Sequence, residues 1–124
     1  VYSTDVCLPI SKITECVKFA ERETEKFGLR APMVGHLGDG NFHVLLPYNP
    51  KQIETYNKIR DFSDLLIKKT LELGGTITGE HGVGLHKKAY LLKEHGDNIP
   101  LMKSIKRTID QNNIMNPGKI FDLN

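Results

Sequence analysis

The sequence predicts an α+β fold, an antiparallel sheet with helices packed on one of its faces. Three observations carry this. Short β-rich runs and amphipathic helical stretches alternate in the order β-α-β-β-α-β-α. The stretch APMVGHLGDGNFHVLLP (31–47) sets two β-like runs on either side of an Asp-Gly pair, the pattern of a hairpin and so of antiparallel pairing. The chain has 124 residues, which suits one domain around a single core.

Each element has its own warrant. VYSTDVCLP (1–9) is rich in β-formers and closes on a proline, so it reads as a strand. A helix is predicted from about Ser11 to Phe27. There Ile13, Cys16, Val17, Ala20, Thr24 and Phe27 recur at helical spacing, Ser11 can serve as N-cap, and Gly28 can end it. A longer helix is predicted over Gln52 to Leu73. Its stripe is Ile53, Tyr56, Ile59, Phe62, Leu66, Thr70 and Leu73, and Gly74 and Gly75 stop it. TITGEHGVG (76–84) is a short β-like piece running into a glycine-rich bend. Two further helices are expected in HKKAYLLKEHG (86–96) and IPLMKSIKRTIDQNN (99–113), the second with Leu101, Ile105, Thr108 and Ile109 on one side. MNPGKIF (115–121) is an irregular tail, since Asn-Pro and Gly favour turns.

Composition excludes several classes of function. The net charge of +2 is spread over mixed signs, and the local basic pair Lys106–Arg107 makes no nucleic-acid footprint. No apolar run approaches the roughly 20 residues of a membrane span, and no signal peptide is visible. Cys7 and Cys16 form no Cys-x-x-Cys pair and suit reduced, buried thiols, so a cytoplasmic protein is expected. The chain starts at Val1 rather than methionine, and it is expected to be processed or part of a longer polypeptide. Dinucleotide, phosphate-loop, His-Glu-x-x-His, calcium-loop and nucleophile-elbow motifs are all absent.

The chemistry concentrates in GHLGDGNFH (35–43). With Asp39-Gly40 as a two-residue type I′ turn, His36 faces His43, Leu37 faces Phe42 and Gly38 faces Asn41. Opposed residues point to one side with Cβ atoms about 5 Å apart. Val34, His36, His43 and Leu45 then share one face, and Met33, Leu37, Phe42, Val44 and Leu46 form an apolar face beneath the helices. Two adjacent imidazoles can chelate one ion at about 2.1 Å each, or they can simply hydrogen-bond each other, water or Asp39. A third ligand is available in GEHGVG (79–84), where a glycine-rich bend can turn both Glu80 and His81 toward one point. Glu80 could then complete a His-His-Glu site and leave His81 as a general base, against the plainer reading of an exposed charge pair on a turn. His86 and His95 read as surface residues, and Asn41 either orients a ligand or supports the hairpin turn.

Taken together, GHLGDGNFH, GGTITGEHGVG and NPGKIF, in that order, resemble the C-terminal region of FAD-linked oxidases, the family of D-lactate dehydrogenase, the glycolate oxidase D subunit and D-2-hydroxyglutarate dehydrogenase. DVCLPISKI resembles the strand and helix that open this half of the family's cap domain, and the likeness covers nearly the whole of 1–124. The resemblance implies a ferredoxin-like half of a cap domain and a divalent metal, Zn, Mn or Fe, on His36, His43 and Glu80. It implies His81 as the catalytic base, Asn41 at the substrate and Asn116 toward FAD. The implied reaction oxidises a small 2-hydroxy acid, with the metal as Lewis acid and the flavin as redox partner. The implied FAD-binding domain belongs to the same polypeptide and precedes this region, and a homodimer is an assembly compatible with the resemblance. Leu45 stands where the 2-hydroxyglutarate enzymes usually carry asparagine, which implies a smaller, less polar acid of the D-lactate or glycolate class. The alternative is a stand-alone metal-binding or regulatory module without catalysis.

Overall fold

The computed structural model describes residues 1–123. In chain order these form β1 (Tyr2–Ser3), β2 (Val6–Cys7), α1 (Ile10–Phe27), β3 (Met33–Val34), β4 (Asn41–Leu46), α2 (Ile53–Glu72), α3 (Lys88–His95) and α4 (Ile99–Ile109). Short 3₁₀ turns occupy Leu37–Asp39 and Gly96–Asn98. The architecture is α+β, and every strand pair is antiparallel. Where one core was expected, the contacts divide into two compact units, Val1–His81 and a second that begins at Gly82.

In the first unit the sheet is built through β4. Its order is β1-β4-β2, and β3 also pairs with β4. β1 and β2 hold one register along β4, with Tyr2 opposite Leu46 and Cys7 opposite Asn41. Between them the Thr4 hydroxyl, not a backbone carbonyl, accepts from the Val44 N–H at 2.8 Å. Thr76 extends the pattern as an isolated bridge to Cys7.

The hairpin differs from the expected one. Val34, not His36, stands opposite His43, and Met33 stands opposite Val44. A type I′ turn needs positive φ at both central residues. Only Gly40 adopts it, at 82°, while Asp39 stays in the 3₁₀ turn. The His36 carbonyl accepts from both Asp39 and Asn41 and closes a longer loop.

The core lies between β4 and two helices that pack on each other. Phe42, Val44 and Leu46 of β4 are buried with Ile13, Cys16 and Ala20 of α1 and Ile59, Phe62 and Leu66 of α2. Each large side chain of this set contributes about 1.5–3 kcal/mol by leaving water. Cys16 Sγ sits 3.8 Å from Thr70 Oγ1, and burial pushes its thiol pKa up. At the surface Lys69 donates to Glu15 at 2.8 Å, which holds the Glu15 carboxyl down and the Lys69 ammonium up. α1 begins at Ile10, with Pro9 in the cap position, so Ser11 lies inside the first turn instead of capping it. Gly28 ends α1 in the left-handed region as expected. At the start of α2 the stripe runs out of partners: Ile53 is 71% exposed, and Tyr56 turns toward Tyr48.

The second unit holds α3, α4 and the tail. Leu91 of α3 is buried, but no residue of α4 is. Leu101, Ile105, Thr108 and Ile109, read as a packing stripe, are all exposed. Asp110 ends α4: its carboxylate accepts from Lys106 and from the N–H groups of Ile114 and Met115. Lys88 pairs with Asp122 at 2.8 Å.

Candidate functional site

Three pieces of the first unit converge: Thr4–Asp5 between β1 and β2, β4 with the loop before it, and the bend at 78–81. β4 is buried on both faces, so Asn41 and His43, opposite the apolar Phe42, Val44 and Leu46, also leave water. Buried polar groups need partners, and these two find theirs around Asp5.

Asp5 is fully covered and gathers donors. Oδ2 accepts from Thr78 Oγ1 at 2.7 Å and from the backbone N–H groups of Gly79 at 2.9 Å, Glu80 at 3.1 Å and His81 at 2.9 Å. Oδ1 accepts from Asn41 Nδ2 at 3.1 Å. The approach is close enough that only glycine fits at 79, since a Cβ there would lie 1.7 Å from Asn41 Nδ2. Sequence reasoning assigned Asp5 no role. The available signal is an acid in the middle of a β-rich run, where aspartate is disfavoured.

The bend directs the Glu80 and His81 side chains toward His43. His43 Nδ1 lies 3.0 Å from the Thr4 carbonyl, which can only accept, so this nitrogen carries a hydrogen. His43 Nε2 lies 3.0 Å from Glu80 Oε1. His36 Nε2 is 3.9 Å from Glu80 Oε2, although His36 reaches the site from the loop and not from a strand position opposite His43. The His81 ring stacks on His43 with centroids 4.8 Å apart and planes 11° off parallel, its Nε2 4.0 Å from Glu80 Oε1. His43 is buried, whereas the side chains of His36, Glu80 and His81 are 65%, 49% and 45% exposed.

The His43–Glu80 pair is spaced as two ligands of one divalent ion would be, while His36 faces the other Glu80 oxygen at 3.9 Å. With Nδ1 turned to the Thr4 carbonyl, His43 directs Nε2 at a carboxylate oxygen 3.0 Å away, a contact that a proton or a cation between the two atoms makes favourable. Two ligand atoms on one tetrahedral ion stand about 3.3 Å apart, given metal bonds of about 2.0–2.1 Å. Among the described residues the group of three whose ligand atoms all lie within 4.8 Å of one another is Asp5, His43 and His81, and it includes neither His36 nor Glu80. The oxygens of Asp5 are already committed to the bend and to Asn41, so Glu80 is the better carboxylate ligand.

The remaining expected site residues lie as follows. The Asn41 amide is turned to Asp5, and its Oδ1 is buried without a hydrogen-bond partner among the described residues. Asn116 belongs to the second unit, where it takes φ 48° and its carbonyl accepts from Lys119. His86 is exposed, and His95 pairs with Glu94 at 3.2 Å.

Fold, hairpin and bend together define an α+β unit in which His36, His43 and His81 surround the Glu80 carboxylate. Residues 1–120 match the model of the family "FAD linked oxidases, C-terminal domain", and the chain belongs to that family. It is 40% identical over 123 residues to the "Probable D-lactate dehydrogenase, mitochondrial" of Danio rerio, covering 98% of this chain and 25% of that protein. It is 41% identical over 123 residues to the "D-lactate dehydrogenase (cytochrome) 1, mitochondrial" of Saccharomyces cerevisiae, covering 98% of this chain and 20% of that protein. With the "Glycolate oxidase subunit GlcD" of Bacillus subtilis it shares 37% over 118 residues, 94% of this chain and 25% of that one. The chain thus spans about a quarter of the length of these relatives. Among the described residues no helix is long and apolar enough to cross a membrane.

Proposed function

We propose that this chain is the part of an FAD-dependent 2-hydroxy-acid dehydrogenase that provides its divalent-metal site and its proton-accepting histidine. The observation that carries the reading is the approach of His43 Nε2 to Glu80 Oε1 at 3.0 Å, with His36 and His81 beside them. His36, His43 and Glu80 would hold the ion, and the FAD domain of the same polypeptide would hold the flavin. When bound, the ion supplies Lewis acidity and FAD supplies an electron acceptor.

The chain's own residues do the rest. Oxidising a 2-hydroxy acid to the 2-oxo acid removes a hydroxyl proton, and His81 accepts it at Nε2. His81 is suited to this because half of its side chain reaches solvent while its backbone is tied to Asp5. His43 is oriented by the Thr4 carbonyl, which leaves Nε2 as its coordinating atom. Asn41, buried with its amide on Asp5, would act on the substrate side only through the bend it supports, and the tail at Asn116 would meet the flavin-bearing part. The relatives' names point to D-lactate or glycolate as the substrate class, and Leu45, in place of a polar residue, supports a small acid. Relatives named mitochondrial move the proposed compartment from the cytoplasm to the mitochondrion.

The test is metal content of the protein purified without chelators, beside His43→Ala, and flavin absorbance of the full-length polypeptide. About one equivalent of metal in the parent, little in the variant, and bleaching of the flavin by D-lactate or glycolate are expected. A full-length polypeptide with no flavin absorbance, or metal retained in full by His43→Ala, refutes the reading.

A further inference from the structure

We infer that Asp5 is the positioning residue of this site: its buried carboxylate bends the chain at 79–81 so that two neighbouring side chains, Glu80 and His81, serve one centre. In extended backbone neighbours point to opposite faces, so a ligand and a base at adjacent positions require a bend. A glycine-rich bend has many conformations available, and something must select one. Here the N–H groups of Gly79, Glu80 and His81 all donate to the Asp5 carboxylate. Successive N–H groups that converge on an anion form a nest, and in this case the anion belongs to the chain. The carboxylate also carries the Thr78 hydroxyl and the Asn41 amide, and Oδ1 lies 3.7 Å from His43 Nδ1. One side chain therefore ties the bend to β4, and with it Glu80 to His43. Asp5 itself has no exposure through which to touch substrate. Hydrogen bonds to an ionised acceptor are roughly twice as strong as neutral ones, which suits a carboxylate to hold a segment whose side chains remain half exposed.

The inference rests on the metal reading for one of its two readouts only. The experiment uses the full-length polypeptide, its isosteric Asp5→Asn variant, and cobalt(II) as the probe ion. The carboxamide keeps the shape but loses the charge and one acceptor. Amide hydrogen exchange across Gly79, Glu80 and His81 should rise about tenfold in Asp5→Asn, while Val44 and Leu46 of β4 keep their protection. The cobalt Kd should rise about 10- to 100-fold, followed by the visible absorption of the bound ion. Ile59→Val, which loosens the core away from the site, should lower stability and change neither readout. If Asp5→Asn does not fold, Thr78→Val removes one donor from the same oxygen and should raise the same local exchange about threefold. Unchanged exchange at Glu80 and His81 in the folded variant overturns the inference, as does a uniform loss of protection that includes β4. A parent that binds no cobalt refutes the metal reading, and the exchange pattern still decides the role of Asp5.

Discussion

Gly79→Ala tests the architecture of the site most directly. The added methyl would lie 1.7 Å from Asn41 Nδ2, 2.7 Å from Asn41 Cγ and 2.9 Å from Asp5 Oδ1. Non-bonded heavy atoms settle at about 3.5–4.0 Å, so the neighbours must yield. The backbone at 79 is held by its own N–H on Asp5, and Asn41 is buried on β4. If the Asn41 amide swings away it loses its bond to Asp5, and because Oδ1 has no partner, the whole amide is left buried and unpaired. That costs about 1–3 kcal/mol, and the overpacking adds about 1–3 kcal/mol, for a central expectation of about 4 kcal/mol. Backbone strain adds nothing, since Gly79 does not occupy the left-handed region. In urea, with a slope of about 1–3 kcal/mol per molar, the unfolding midpoint should fall by about 1–4 M. Gly38→Ala is the control: its Cβ meets nothing within 4 Å, and it should change stability by less than about 0.5 kcal/mol. A Gly79→Ala protein as stable as Gly38→Ala would show that Asn41 and Asp5 do not pack against this bend.

The other expectations separate the roles of the site residues and of the second unit. His43→Ala should lose most of its metal in atomic absorption, because it removes the one buried side chain of the proposed His36, His43 and Glu80 set; undiminished metal would remove His43 from that set. His81→Ala should keep its metal but slow substrate oxidation in the full-length enzyme by about 10²-fold or more, and equal metal loss in both variants would mean that His81 is a ligand too. Asp110 is held below the ordinary carboxylate value of 3.8, first by Lys106 and then by the N–H groups of Met115 and Ile114. A depressed carboxylate stabilises the fold above its unfolded value and loses that contribution as pH falls through its folded value. The end of α4 should therefore fray only below about pH 3.8, and Asp110→Asn should abolish this acid step. Fraying that starts at pH 5 in exchange measurements on Ile109 and Asp110 would contradict the assignment.

The sequence reveals what is local and hides what is not. α2 is expected over 52–73 and runs over Ile53–Glu72, because its apolar stripe and the Gly74-Gly75 stop agree with each other. The hairpin register escapes local reading. Asp-Gly favours a type I′ turn, but the His36 carbonyl captures two N–H groups and opens a longer loop. The shift is two residues, so His43 keeps the face expected for it, because side-chain direction alternates with period two. α4 shows the limit of periodicity: Leu101, Ile105 and Ile109 recur at helical spacing, which establishes an apolar side but not that anything covers it. Asp5 is the clearest omission. Its partners in the bend lie 73 to 76 residues away, and no spacing rule connects an acid between β1 and β2 to N–H groups in a distant glycine-rich turn.

Rigidity in the site is unevenly distributed, and the distribution has a chemical sense. His43 is fixed from three directions, by β4, by the Thr4 carbonyl and by the stacked ring of His81. His36 hangs from a loop and is 65% exposed, and the Glu80 side chain is 49% exposed even though its backbone is tied down. A centre that must accept an ion and then a substrate needs one ligand whose direction is set in advance and others that can adjust around it. In the proposed centre the buried strand would provide the first, and the loop and the bend the rest. His81 shares the bend with Glu80, so a motion that brought the carboxylate onto an ion would also move the proposed base. With the proposed roles, adjacent positions held by one carboxylate would couple metal binding to the placement of the proton acceptor, which two residues on separate elements would not do.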